Sequence, residues 1–157
     1  QQMCSQANIC DYDTHSLTSA AAALHELGLH IGYKQYHEHG AYILNHVEIT
    51  GFTSLQRMMI RDLVLLHRSP IDNAALSNYS DELKAMLICC LRVLRITIIL
   101  VSRRKDAAIP KIQLAIDNDQ WTLHLAQDIK IKHPLIYTEL VHECYLQHRA
   151  GWKLALK

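Results

Sequence analysis

Hydrophobic positions follow a helical rhythm over the first two-thirds of the chain and an alternating one after Pro110. In SLTSAAAALHELG, the residues Leu17, Ala20, Ala21, Leu24 and Leu27 recur at helical spacing. Thr14 or Ser16 is placed to cap this helix and Gly28 to end it. YHEHGAYILNHV reads as a second helix with Ile43, Leu44 and Val47 inward. GFT then breaks the pattern, and Thr53 offers an N-cap for SLQRMMIRDLVLLHR, which Pro70 ends. On that helix Leu55, Met58, Met59, Asp62, Leu63 and Leu66 fall on one side, with Asp62 the polar member. A polar loop carrying Asp72, Asn73, Ser77 and Asn78 leads to Ser80, which opens the longest helix, DELKAMLICCLRVLRITIILVSRRK. It is apolar almost all the way round, which predicts a central, buried position. Arg92 and Arg95 interrupt it on one face. A guanidinium in so apolar a setting needs a carboxylate partner or a phosphate, and Asp62 is the expected partner. Arg103, Arg104 and Lys105 close the helix, as its dipole favours.

Beyond Pro110 the period changes. KIQLAI and WTLHL alternate around the turn DNDQ, which predicts a β-hairpin. HPLIYTELVHECYLQHRAG reads as a helix with Pro134 in its first turn and Gly151 past its end. The tail WKLALK alternates again, with Trp152, Leu154 and Leu156 on one side. The expected fold is therefore mainly α: a helical domain over residues 1–107, followed by a small α+β lobe over 108–157 in the order strand, strand, helix, strand.

Composition narrows the function. The chain has 157 residues and a formal net charge of +1, so any basic patch is local and no global attraction to polyanions exists. Eleven histidines make the charge climb as pH falls through the mid-sixes. The five cysteines, Cys4, Cys10, Cys89, Cys90 and Cys144, are odd in number and form no CxxC, which predicts reduced thiols and a cytoplasmic setting. No apolar run approaches the ~18 residues a membrane span needs. Basic and aromatic residues do not interleave along the chain, so no nucleic-acid partner is expected. Walker A, GxGxxG, GxSxG and HExxH motifs do not occur. Gln1 rather than Met opens the chain, which reads as a fragment of something longer.

The chemistry concentrates in LHELGLHIGYKQYHEHGAYIL, residues 24–44, with four histidines and two glutamates. His25-Glu26 is similar to the His-Asp pair of HD-type metal phosphohydrolases, with a carboxylate one methylene longer. His37 and His39 follow, and His67-Arg68 sits at the end of the third helix, placed for the helix dipole or for an anion. The candidates for phosphate contact are His37, His39, His67, Arg68, Arg95, Arg103, Arg104 and Lys105. The candidates for a vestigial metal site are His25, Glu26 and Asp62.

The motifs AAALHELGLHI, HEHGAYIL, GFT, LRVLRITIILVSRR and GWKLAL, in that order, resemble the C-terminal region of the exopolyphosphatase / guanosine pentaphosphate phosphohydrolase family. The resemblance implies an HD-domain-like helical domain and a small mixed lobe that help to hold inorganic polyphosphate or guanosine pentaphosphate and to form a homodimer. It also implies that catalysis and magnesium belong to N-terminal actin-like domains, so no catalytic residue transfers to this chain. In HD enzymes a late helix ends the site with an Asp; the matching stretch here is Leu94 to Ile98, and the alkyl side chain of Ile98 coordinates nothing. The stretch thus reads as a vestigial site without metal or cofactor. Two alternatives stay open on the residues alone: a self-contained HD-type metal phosphohydrolase, and a pure dimerisation module.

Overall fold

The computed structural model describes residues 12–68, 70–101 and 110–157. Its first helix, α1, spans Tyr12–Leu24. Thr14 and Ser16 lie inside α1 rather than ahead of it, and the buried Thr14 carbonyl accepts a bond from Thr18 Oγ1 at 2.9 Å. Gly28 does not end α1 either; it sits within a 3-10 turn over Leu27–His30. The reason is a close backbone approach to the next helix, α2, over Tyr36–His46. A Cβ on Gly28 would lie 1.8 Å from the Tyr36 carbonyl oxygen and 2.5 Å from the Gly40 nitrogen. Two glycines let the turn rest directly on the α2 backbone.

Helix α3 spans Ser54–Leu66. Thr53 caps it as expected, in a reciprocal box: Thr53 Oγ1 accepts from the Gln56 amide at 3.2 Å, and Gln56 Oε1 accepts from the Thr53 amide at 2.9 Å. The buried side differs from the predicted stripe. Leu55 and Met58 are 45% and 43% exposed, whereas Ile60 and Val64 are buried. Contact with α1 and α2 as well as the long helix over Asp81–Val101 explains this, since a sandwiched helix buries more than one stripe.

Helix α4 covers Asp81–Val101, with Ser80 Oγ accepting from the Leu83 amide at 3.4 Å. It serves two cores. Leu87, Cys90, Leu91 and Leu94 join Leu17, Leu44, Ile60 and Leu63 in the first. Val93 and Ile96 join Leu114, Trp121, Leu123 and Leu140 in the second. Each such side chain, fully buried, contributes on the order of 1.5–3 kcal/mol, so α4 is the spine of the molecule.

The lobe holds β1 (Ile112–Asp117), β2 (Gln120–Leu125), a short α5 (Ile129–Lys132) that periodicity did not reveal, α6 (Pro134–Arg149) and β3 (Lys153–Leu156). β1 and β2 pair antiparallel with Leu114 opposite Leu123 and Ile116 opposite Trp121. The hairpin turns at Asn118, which takes the left-handed φ of 50° that asparagine tolerates. β3 pairs parallel to β2, giving the order β1-β2-β3. A parallel partner requires a crossover, and α5 with α6 supplies it. Leu154 and Leu156 face the second core as expected, but Trp152 precedes β3 and packs on the first. The structure is thus mainly α with a small α+β lobe. The expected boundary near 107 and 108 lies outside the described residues. Among the described residues no helix is long and apolar enough to cross a membrane.

Candidate functional site: a histidine, tyrosine and arginine cluster

The end of α3, the start of α2 and the end of α1 meet at a group of rings. His67 is its hub. Its Nδ1 lies 2.6 Å from the Val64 carbonyl oxygen, which only accepts, so Nδ1 carries the proton. Nε2 is then the acceptor and receives the Tyr36 hydroxyl at 3.2 Å. His25 meets His67 edge-on at 5.5 Å between centroids, His37 does so at 6.3 Å, and Tyr36 lies at 5.5 Å. His25 Nδ1 likewise donates to the Ala22 carbonyl, at 2.7 Å. Arg68, next in the chain, leaves this buried layer and is exposed. Its guanidinium carbon sits 5.1 Å above the Tyr36 ring and 5.9 Å from that of Tyr33.

Burial holds the His67 imidazole down to about 4, with the neighbouring His25, His37 and Arg95 pushing the same way against the Val64 bond. Burial also lowers His37, with Arg68 and His39 adding to it against the nearby Glu38. Burial disfavours the protonated form of both rings, and Arg68 carries the fixed positive charge beside them.

Of the expected phosphate contacts, His37, His67 and Arg68 come together. His39 lies near Gly32 instead, its Nε2 3.8 Å from where a Gly32 Cβ would be. Arg103, Arg104 and Lys105 lie outside the described residues. Arg95 is 3% exposed and engaged from all sides. Its Nε and Nη2 donate to the two oxygens of Glu143 at 2.7 and 2.8 Å, and Nη1 donates to the Leu66 carbonyl at 2.6 Å. The expected pairing of Asp62 with these arginines is therefore corrected. Asp62 Oδ1 accepts from Arg61 Nε at 2.8 Å and Oδ2 from the Tyr79 hydroxyl at 2.6 Å. Arg92 stacks 4.0 Å over Trp121 and donates to Gln147 Oε1 and the Lys153 carbonyl. Helix α6, which the sequence placed in a separate lobe, supplies the partners that α3 was expected to give.

His25 joins the rings, while Glu26 Oε1 stands 3.9 Å from His25 Nε2. Ile98 packs on the first core. Among the described residues no three His, Cys, Asp or Glu side chains are arranged to hold a metal ion. With Asp62 bound to Arg61 and Tyr79, the residues present do not fit a magnesium ion, whose preferred ligands are oxygens. Sequence reasoning missed Tyr33 and Tyr36; their three-residue spacing beside His37 was visible, but their meeting with Arg68 was not.

Fold and cluster together define a helical domain with a buried ring cluster edged by Arg68, packed against a small α+β lobe. The chain belongs to the Ppx/GppA phosphatase family, matching its domain III over residues 1–144. It is 41% identical over 98% of its length to a guanosine-5'-triphosphate,3'-diphosphate pyrophosphatase of Pseudoalteromonas atlantica. Proteins of the same name from Pseudoalteromonas translucida and Vibrio cholerae are 38% and 33% identical over 88% and 97% of the chain. The chain spans 31%, 28% and 30% of the length of these three curated relatives.

Proposed function

We propose that the chain is a non-catalytic C-terminal domain of a Ppx/GppA-type phosphohydrolase, which binds the phosphates of guanosine pentaphosphate or inorganic polyphosphate and supports homodimerisation in the cytoplasm. Phosphoanhydride hydrolysis and its magnesium ion belong, in this reading, to actin-like domains elsewhere in the parent enzyme. The observation that carries the reading is Arg68, an exposed guanidinium fixed over Tyr33 and Tyr36 at the mouth of the histidine cluster. A guanidinium makes paired, charge-assisted bonds to phosphate oxygens. His37 and His67 lie behind it, and burial, which lowers the pKa of both, keeps their charge from adding to that of Arg68 except in acid. Exposed apolar side chains on α5 and α6, Ile131 at 84% together with Leu135, Val141 and Tyr145, support the dimer part.

Titration with inorganic polyphosphate at low and high salt tests the reading. Affinity should fall steeply with salt, and Arg68→Ala should weaken it about tenfold, the scale of one charged hydrogen bond. Binding indifferent to salt and to Arg68→Ala would remove the ligand role. Stoichiometric metal in tag-free protein, with phosphatase activity lost in chelator, would favour the self-contained HD-type enzyme instead. A mass that grows with concentration, without polyphosphate binding, would leave only a dimerisation module.

A further inference from the structure

Arg68 is exposed, yet its guanidinium is already engaged. Tyr33 comes from the loop before α2, Tyr36 from the first turn of α2, and Arg68 from just past the end of α3. The guanidinium carbon lies 5.1 Å from the Tyr36 ring centre and 5.9 Å from that of Tyr33, and the two rings are 6.4 Å apart. Burial works against the charge, but hydrogen bonds to the Tyr36 hydroxyl and then to that of Tyr33 outweigh it and hold the group charged above its ordinary range. We propose that the two tyrosines latch Arg68, so that an anion enters the cluster only by taking the guanidinium from the phenol oxygens. The inference rests on the phosphate-binding reading of Arg68 given above and adds an autoinhibitory contact to it.

The latch is built outward from the buried layer. His67 Nδ1 is committed to the Val64 carbonyl, which leaves Nε2 to accept the Tyr36 hydroxyl proton at 3.2 Å. With its proton spent inward, the Tyr36 oxygen can only accept from outside, and donating to His67 makes it a better acceptor. Arg68 is the donor that meets it. Tyr33 holds the guanidinium from the loop, and at 76% exposure it is the arm that can swing away. A phosphate oxygen uses the same N–H groups. It carries charge where the phenol carries none, so it displaces the phenol. The bonds already made subtract from its affinity.

Tyr33→Phe removes the exposed hydroxyl and keeps the ring, so the packing of α2 and α3 is undisturbed. Titrated with tripolyphosphate, this variant of the 157-residue chain should bind about fivefold more tightly than wild type, the scale of one net hydrogen bond. Tyr36→Phe is the less clean variant, because it also strips the buried His67 of its donor. A second measurement needs no anion: modification of Arg68 by phenylglyoxal, followed by peptide mass spectrometry, should run severalfold faster in Tyr33→Phe. Tripolyphosphate binding that is unchanged or weaker in Tyr33→Phe would overturn the latch and leave the phosphate site standing, whatever the reactivity of Arg68. If neither wild type nor variant binds tripolyphosphate, the phosphate reading falls and the modification rate decides the latch. A faster rate in Tyr33→Phe then supports it, and an unchanged rate removes it as well.

Discussion

Arg95 and Glu143 face each other in a two-pronged pair at 2.7 and 2.8 Å, both almost wholly out of water, where α4 meets α6. Gln147 Nε2 donates to the same carboxylate at 2.9 Å, and Arg95 reaches on to the Leu66 carbonyl. All of the acid's partners are supplied by protein, which is the condition under which a buried pair is tolerated. Glu143→Ala would strand the guanidinium, and a loss of about 3–5 kcal/mol is expected in chemical denaturation. The double replacement Arg95→Met with Glu143→Leu should recover most of it, because two well-packed apolar side chains avoid the desolvation altogether.

Gly28→Ala tests the backbone contact between the 3-10 turn and α2. The added methyl would meet the Tyr36 carbonyl oxygen, which cannot swing aside as a side chain could. A loss of roughly 3 kcal/mol is expected, at the upper end for overpacking. Gly40→Ala should cost less, since its nearest neighbour is the Val64 Cγ1 atom at 3.1 Å. Thermal melts of the two variants measure the difference.

His67 makes the fold sensitive to acid. Its folded value of about 4 lies below the ordinary 6.5, so the unfolded chain takes up this proton first. The stabilising contribution is complete above pH 6.5, shrinks as pH falls, and is gone near pH 4. Its full size is roughly 3 kcal/mol, from the 1.36 kcal/mol that each unit represents. The stability difference between wild type and His67→Gln should therefore narrow across that window in denaturation curves taken at successive pH values. A constant difference would contradict the assignment.

Tyr79→Phe removes one donor from the buried Asp62 and leaves the Arg61 bond in place. About 1–3 kcal/mol of stability should be lost, the usual cost of leaving a buried acceptor partly unsatisfied. Tyr79 also becomes easier to ionise once Asp62 is neutralised, because burial first, and the Asp62 hydrogen bond and charge next, hold its phenol protonated. Asp62→Asn should lower the pH at which tyrosinate absorption appears.

Local signals read well from the chain. The Thr53 cap, the DNDQ turn, Pro134 at the start of α6 and the alternation in β1 and β2 depend on neighbours within a few residues. The partners of the buried arginines did not. Asp62 and Arg95 each stood out in an apolar stripe, which suggested that they meet. Yet Asp62 had Arg61 beside it, and Arg95 found an acid 48 positions further on. Nothing local reports that separation. The same holds at the cluster: His37, His67 and Arg68 were named from their residue types, but Tyr33 and Tyr36 gained meaning only when α2 and α3 brought them to Arg68.

Because α4 lends one flank to each core, neither half of the chain owns a complete interior. Shortening the polypeptide before β1 would bare Val93 and Ile96 to water and leave Arg95 facing empty space where Glu143 belongs. The two halves should therefore melt in a single calorimetric step, and damage to the sheet should be felt as far away as the ring cluster, through the guanidinium that grips the last carbonyl of α3.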